Sequence, residues 1–101
     1  MYEIRYLALA RKDLNGITTY FADNLKAPQA AMDLLDTLNE SISRLEQFPY
    51  SSKVYQPITA LDNEYRLLPV KNFVVFYVVK EHVVDIYRVV YAKMDLSKVI
   101  K

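Results

Sequence analysis

Apolar and charged residues alternate at the start of the chain, Tyr2-Glu3-Ile4-Arg5-Tyr6, which sets Tyr2, Ile4 and Tyr6 on one face of a short strand. The period then changes. Ala10, Leu14, Ile17 and Phe21 recur at steps of four, three and four, the spacing of one helix face. No Ser, Thr, Asp or Asn caps the start of this helix, and Gly16 in its interior costs roughly 1 kcal/mol relative to alanine, so burial of the apolar stripe has to hold it. Residues 23–27 form a break, after which Pro28 suits the first turn of a second helix, where its missing N–H has no intrahelical partner to lose. Ala31, Leu34, Leu35, Leu38, Ile42 and Leu45 line one face of that helix, with Asp33, Asp36, Glu40 and Arg44 turned outward. Glu40 stands four residues before Arg44, the favourable order for a surface pair, and Pro49 ends the segment. Two helices with so short a connection predict an antiparallel hairpin with apolar surface to spare for a sheet.

From Tyr65 onward Val, Tyr and Phe dominate. Three runs separate, Tyr65 to Val70, Phe73 to Lys80 and Val83 to Tyr91, with Lys71-Asn72 and Glu81-His82 as breaks of hairpin length. They predict an antiparallel meander. Phe73 to Val79 is apolar on both faces and is therefore expected at the centre, covered on one side by the helices. Pro69 cannot donate to a ladder, which places its strand at an edge or a bulge. Strict alternation in the last strand would set Asp85, Tyr87, Val89 and Tyr91 on one face and Val84, Ile86, Arg88 and Val90 on the other. The fold class expected is α+β: an N-terminal strand, then an antiparallel helix hairpin packed on a mainly antiparallel sheet that the C-terminal three-stranded meander completes. Residues 1–101 read as one domain, with no internal repeat or low-complexity tract.

Composition narrows the chemistry. With 101 residues and 52% of them hydrophobic, the chain can bury a modest core without staples, and a net charge of +1 excludes a disordered acidic or basic tail. Cysteine is absent and histidine occurs once, at His82, which removes disulfides, thiol nucleophiles and Cys/His zinc sites; no cofactor or metal is expected. Charges among the first thirteen residues (Glu3, Arg5, Arg11, Lys12, Asp13) leave no apolar core for a signal peptide, and no uncharged run is long enough to span a bilayer. A cytoplasmic protein with no membrane partner is the expectation. Residues 1–50 hold five basic and seven acidic side chains, and residues 51–101 eight and five, so the C-terminal half is +3, an excess that suits an acidic partner or merely a solvated face.

The ordered set of punctuating residues resembles the RelE/ParE toxin superfamily of bacterial type II toxin-antitoxin systems, over almost the whole chain. The stretches concerned are Ala10-x-x-Asp13-Leu14-x-x-Ile17-x-x-Tyr20, Pro28-x-Ala30-Ala31, Leu45 with Phe48-Pro49, Tyr65-Arg66-x-Leu68-Pro69-Val70 leading into Phe73 to Val79, and Arg88 to Asp95. The resemblance implies a growth-inhibiting toxin with plasmid stabilisation among its roles, a cognate antitoxin as partner, and contact with DNA only through that antitoxin. It leaves two activities open. RelE-like members cut mRNA on the ribosome without metal, whereas ParE-like members poison DNA gyrase. Metal-free RNA cleavage needs a proton acceptor, a proton donor and fixed positive charge. Where RelE-like relatives carry an Arg shortly before the position of Tyr77, this chain has Phe73, Val74, Val75 and Phe76. Their last-strand His position holds Tyr91, whose ordinary pKa of about 10 makes it a poor base, and the basic position holds Lys93. The ParE-like branch, with DNA gyrase as target, is therefore expected, and a ribosome-dependent ribonuclease is the alternative.

Arg66, Tyr91 and Lys93 are the candidate target-binding residues, and the same three are the catalytic candidates if the chain is a ribonuclease. Each has a plainer reading. Arg66 could instead pair with Asp62 or Glu64, and Tyr91 and Lys93 could be an aromatic packed by the tail and a solvated lysine. Tyr77 is expected in the core with its hydroxyl reaching solvent or a backbone carbonyl. His82 reads as a surface turn residue, the nine tyrosines as half-buried sheet surface before base-stacking platforms, and Asp33, Asp36 and Glu40 as a solvated helix face. Leu7, Leu9, Leu25 and Phe48 exceed what one small sheet can cover, so part of them is expected to meet the antitoxin.

Overall fold

A computed structural model describes residues 1–56 and 63–100. The chain begins in β1 (Glu3–Tyr6), turns at Leu7 into α1 (Ala8–Thr19), and continues through a π-helical turn (Tyr20–Asn24) to α2 (Pro28–Ser43), which closes in a 3-10 turn at Arg44–Glu46. Strands β2 (Lys53–Val54), β3 (Arg66–Val70), β4 (Phe73–Lys80) and β5 (Val83–Tyr91) follow, and a 3-10 turn at Leu96–Lys98 ends the described chain. The five strands form one sheet in the order β1-β5-β4-β3-β2, with β1 parallel to β5 and every other pair antiparallel. The α+β class, the helix hairpin and the meander are as the sequence predicts. Among the described residues no helix is long and apolar enough to cross a membrane.

The first helix has the weak start expected of it, since Leu7 at its N-cap makes no side-chain capping bond. It runs further than the apolar stripe suggests. Asp23 and Asn24 lie within the π turn, so the break is confined to residues 25–27, where Lys26 adopts a positive φ of 51° and the Ala27 N–H donates to the Phe21 carbonyl. Pro28 then opens α2, and Leu34, Leu38, Ile42 and Leu45 pack with Ala10 against Val75, Tyr77, Val84, Ile86 and Val89 of the sheet. Glu40 and Arg44 stand 3.7 Å apart on the exposed side of α2.

The opposite sheet face is covered as well. Tyr65, Val74, Phe76, Val78 and Val90 are buried there beneath Leu96, Val99 and Ile100 of the C-terminal segment and Tyr55 after β2. This explains why Phe73 to Val78 can be apolar on both sides. Pro69 sits beyond the reach of the two-residue strand β2, which pairs with Arg66 and Leu67, and among the described residues it has no partner on that edge.

One expectation is corrected in β5. Phe76 faces Arg88 but Tyr77 faces Ile86, leaving Tyr87 as the extra residue of a β-bulge. The bulge shifts the parity: Val89 joins Val84 and Ile86 on the helix side, while Tyr87 and Val90 share the other face. Strict alternation fails there because two residues of β5 occupy one step of β4.

Candidate functional site

Arg66 enters β3 opposite Tyr77 of β4. Its side chain is only 15% exposed, and the guanidinium donates to the Ser52 carbonyl at 2.7 Å, to the Tyr50 carbonyl at 3.3 Å and to Glu64 at 3.3 Å while lying over the Tyr50 ring. Asp62 lies outside the described residues. The Tyr77 hydroxyl donates to the Pro49 carbonyl at 2.8 Å, so Arg66 and Tyr77 together pin residues 49–52 against the sheet. Burial raises the Tyr77 phenol above its ordinary value, partly offset by the neighbouring Ser52 and the charge of Arg66.

Tyr91 and Lys93 lie elsewhere. Tyr91 faces Phe73, four residues along β4 from the partner of Arg66, which is roughly 13 Å at the strand rise. Its ring meets Phe73 edge-on at 5.8 Å and stays 41% exposed, and Lys93 projects from the turn after β5. Tyr91 and Lys93 thus stand two residues apart in the chain at the end of β5, and Arg66 lies away from them. His82 is exposed in its turn, where its carbonyl accepts from the Glu3 N–H, and Asp33 accepts from Gln29 on the surface of α2.

Tyr91 borders a feature that the three candidate residues do not describe, an open groove of about 900 Å³ between α1 and the outer end of β5. Leu9, Ile17, Tyr20 and Phe21 form its helical wall, and Phe73, Val89, Tyr91 and Met94 its sheet wall. The groove exists because β1 stops at Tyr6, paired with Ile86, so that β5 continues beyond it with no described strand on that side and α1 runs alongside. Asp13 joins the two walls. Its carboxylate accepts from Arg88 Nε at 2.7 Å, from Arg88 Nη2 at 3.1 Å and from the Val89 N–H at 3.0 Å. This hydrogen bonding to Asp13 raises the pKa of the Arg88 guanidinium further. The bulge at Tyr87 is what re-aims Arg88 toward α1.

A signal for this groove was present in the sequence. Leu9 stood out as surplus apolar surface and is 57% exposed; Leu25 and Phe48 are exposed as well, whereas Leu7 is half-buried. Tyr20 and Met94, at 51% exposure each, become visible as partners of Leu9 only when β5 is folded beside α1. The geometry offers an apolar surface with one ion pair at its floor. Among the described residues no three acidic or histidine side chains gather as metal ligands.

The fold is that of a small α+β protein with an open apolar groove between α1 and the outer end of β5. Residues 4–96 match the family of the ParE toxin of the type II toxin-antitoxin system parDE. The chain belongs to that family and is a type II toxin by class. A chain of the chromosomal ParDE toxin-antitoxin system from P. aeruginosa has the same fold, with a TM-score of 0.74 at 20% identity over 92% of this chain and 98% of that one. A chain of the E. coli DinJ-YafQ toxin-antitoxin complex gives a TM-score of 0.47 at 18% identity over 89% and 91%. A search of the curated proteins found no match.

Proposed function

We propose that this chain arrests growth by binding DNA gyrase and is neutralised by a cognate antitoxin. The observation that carries this reading is the separation of the polar candidates. A ribonuclease needs charge and proton carriers around one phosphate. Here Arg66 is committed to the Ser52 and Tyr50 carbonyls and to Glu64, roughly 13 Å along the sheet from the end that bears Tyr91 and Lys93. The place where an additional Arg would sit in the central strand is filled by the buried Phe73 to Phe76. Family membership supports the antitoxin, and the groove provides apolar surface for a covering partner.

The test is expression in cells with and without the adjacent small gene, combined with supercoiling assays on purified gyrase and mapping of transcript 5′ ends. Growth arrest relieved by the neighbouring gene, trapped gyrase cleavage complexes and intact messages are the expected outcome. Codon-positioned cuts in mRNA with undisturbed supercoiling would establish the ribosome as target instead.

A further inference from the structure

We infer that Asn15-Gly16 in α1 is a site of self-modification: α1 opens locally, Asn15 closes on the Gly16 nitrogen, and the isoaspartate that results breaks the helix for good. The reaction needs only water and is independent of what the chain binds. For a toxin by class, it bounds how long one molecule keeps its helix hairpin.

Four of the asparagines precede a larger residue, in Asn24-Leu25, Asn39-Glu40, Asn63-Glu64 and Asn72-Phe73. Asn15 precedes Gly16, the only glycine of the chain. With no Cβ beside it, the Gly16 nitrogen is the least screened of these neighbours, and its backbone turns most freely into the geometry of ring closure. Nothing in the fold asks for glycine here. It lies inside α1, where it weakens the helix, and it has no positive φ. No heavy atom beyond its chain neighbours and the backbone of its own helix lies within 4 Å of where a Cβ would stand. Asn15 and Gly16 are both exposed, so water reaches the pair.

The reaction consumes water and releases ammonia. Once the Gly16 nitrogen has given its proton to a base in the solvent, its lone pair attacks Asn15 Cγ. The bond from Cγ to the carboxamide nitrogen breaks, ammonia leaves, and a succinimide ring closes. Water then adds to one of the two ring carbonyls. Opening on one side leaves an aspartate and on the other an isoaspartate, whose extra main-chain methylene throws the helical hydrogen bonding out of register. The intact helix forbids the first step, because there the Gly16 N–H is bound to the carbonyl four residues back. Yet α1 is the element poised to open. Ala10 is its only buried residue, whereas α2 buries Ala31, Leu34, Leu38 and Ile42. Leu7 gives α1 no capping bond, and it has no acidic residue in its first turn and no basic residue in its last. Lys12, Thr19 and Tyr20 around the pair are exposed as well, so opening there uncovers little apolar surface.

The experiment incubates the purified chain, folded and in urea, and follows position 15 by peptide mass mapping and isoaspartate labelling, beside amide hydrogen exchange and far-UV circular dichroism. In urea Asn15 should react well ahead of the other asparagines. In the folded chain it should be slowed by the factor that protects the Gly16 amide from exchange, since both need the same N–H released. That factor should be smaller than the protection of Val75, which is fully buried in the sheet. Thr19→Ala, exposed and outside the pair, should slow the folded reaction roughly 2- to 3-fold by favouring the helix and leave the rate in urea unchanged. Helical signal should fall as isoaspartate accumulates, whereas Gly16→Ala and Asn15→Gln should keep both their helix and their mass. An Asn15 that stays intact while the Gly16 amide exchanges, or that reacts only as fast as exchange at Val75 allows, overturns the inference. Isoaspartate without loss of helix overturns its effect on α1.

Discussion

At Arg66 the guanidinium already has its partners within the chain: two backbone carbonyls, one carboxylate and the face of Tyr50. Lys93 projects into solvent two residues past the end of β5. The two candidates should therefore respond differently to truncation. Arg66→Ala is expected to cost about 1.5 to 3 kcal/mol, the range for hydrogen bonds to a charged group whose neutral partners are then left unpaired. Lys93→Ala should stay within about 0.5 kcal/mol. Arg66→Lys should restore little, because an ammonium cannot span both carbonyls as the planar fork does. Urea midpoints decide this, and equal midpoints for the two alanine variants would refute it. A growth assay on the same proteins then separates loss of a target contact, expected for Lys93→Ala, from loss of fold.

Between elements, the bulge in β5 and the carboxylate of Asp13 form one device. The bulge breaks the alternation of the strand, Arg88 turns toward α1, and Asp13 binds both its guanidinium and the next backbone N–H. An edge strand with free N–H groups invites pairing with other chains. Asp13 answers that at Val89. Asp13→Ala should destabilise by about 2 to 3 kcal/mol, since it leaves a half-buried guanidinium and a backbone donor without their acceptor. Amide hydrogen exchange at Val89 should accelerate while the amides of Val75 and Val84, deep in the sheet, keep the protection of the global transition. An unchanged Val89 rate would show that the carboxylate does not shield the edge.

Over the whole molecule, two tyrosines link stability to alkaline pH. Burial raises both Tyr77 and Tyr6 above the ordinary phenol value of 10.0. A group whose folded pKa lies above its unfolded one holds its proton longer in the folded state. Its contribution is therefore complete below about pH 10 and is lost as pH rises through the folded value. The contribution of these two phenols to the urea midpoint should be constant through neutral pH and fall above about pH 10. Tyr77→Phe should cost about 1 kcal/mol of stability at neutral pH for the lost bond to Pro49, read as a lower urea midpoint, and make the alkaline fall shallower. A fall as steep as that of the parent chain would assign the alkaline loss to other groups.

The elements were legible in the sequence because their causes are local. A period of two at Tyr2 to Tyr6, a period near 3.6 in both helices, Pro28 at a helix start and two-residue breaks between Val-rich runs each act within a few residues. The family resemblance was legible for a related reason, since an ordered set of such punctuation marks is carried by the chain itself. Long-range pairing decided the rest. That β1 lies parallel to β5, with Tyr6 beside Ile86, follows from no local pattern, yet it leaves the outer end of β5 open on that side and makes the groove. Tyr87 could be recognised as a bulge only once β4 and β5 were in register. The C-terminal cover over Val74, Phe76 and Val78 depends on where the chain goes after Tyr91. The same logic governs the candidate site: residue type singled out Arg66, Tyr91 and Lys93, but distance across a sheet separates the first from the other two. The sequence by itself determined which segments become helix or strand and the family to which they belong. Only the tertiary structure decided which side chains share a surface, because contacts between residues 75 or more apart, as from Asp13 to Arg88, are made by the packed fold and not by the neighbours of either residue.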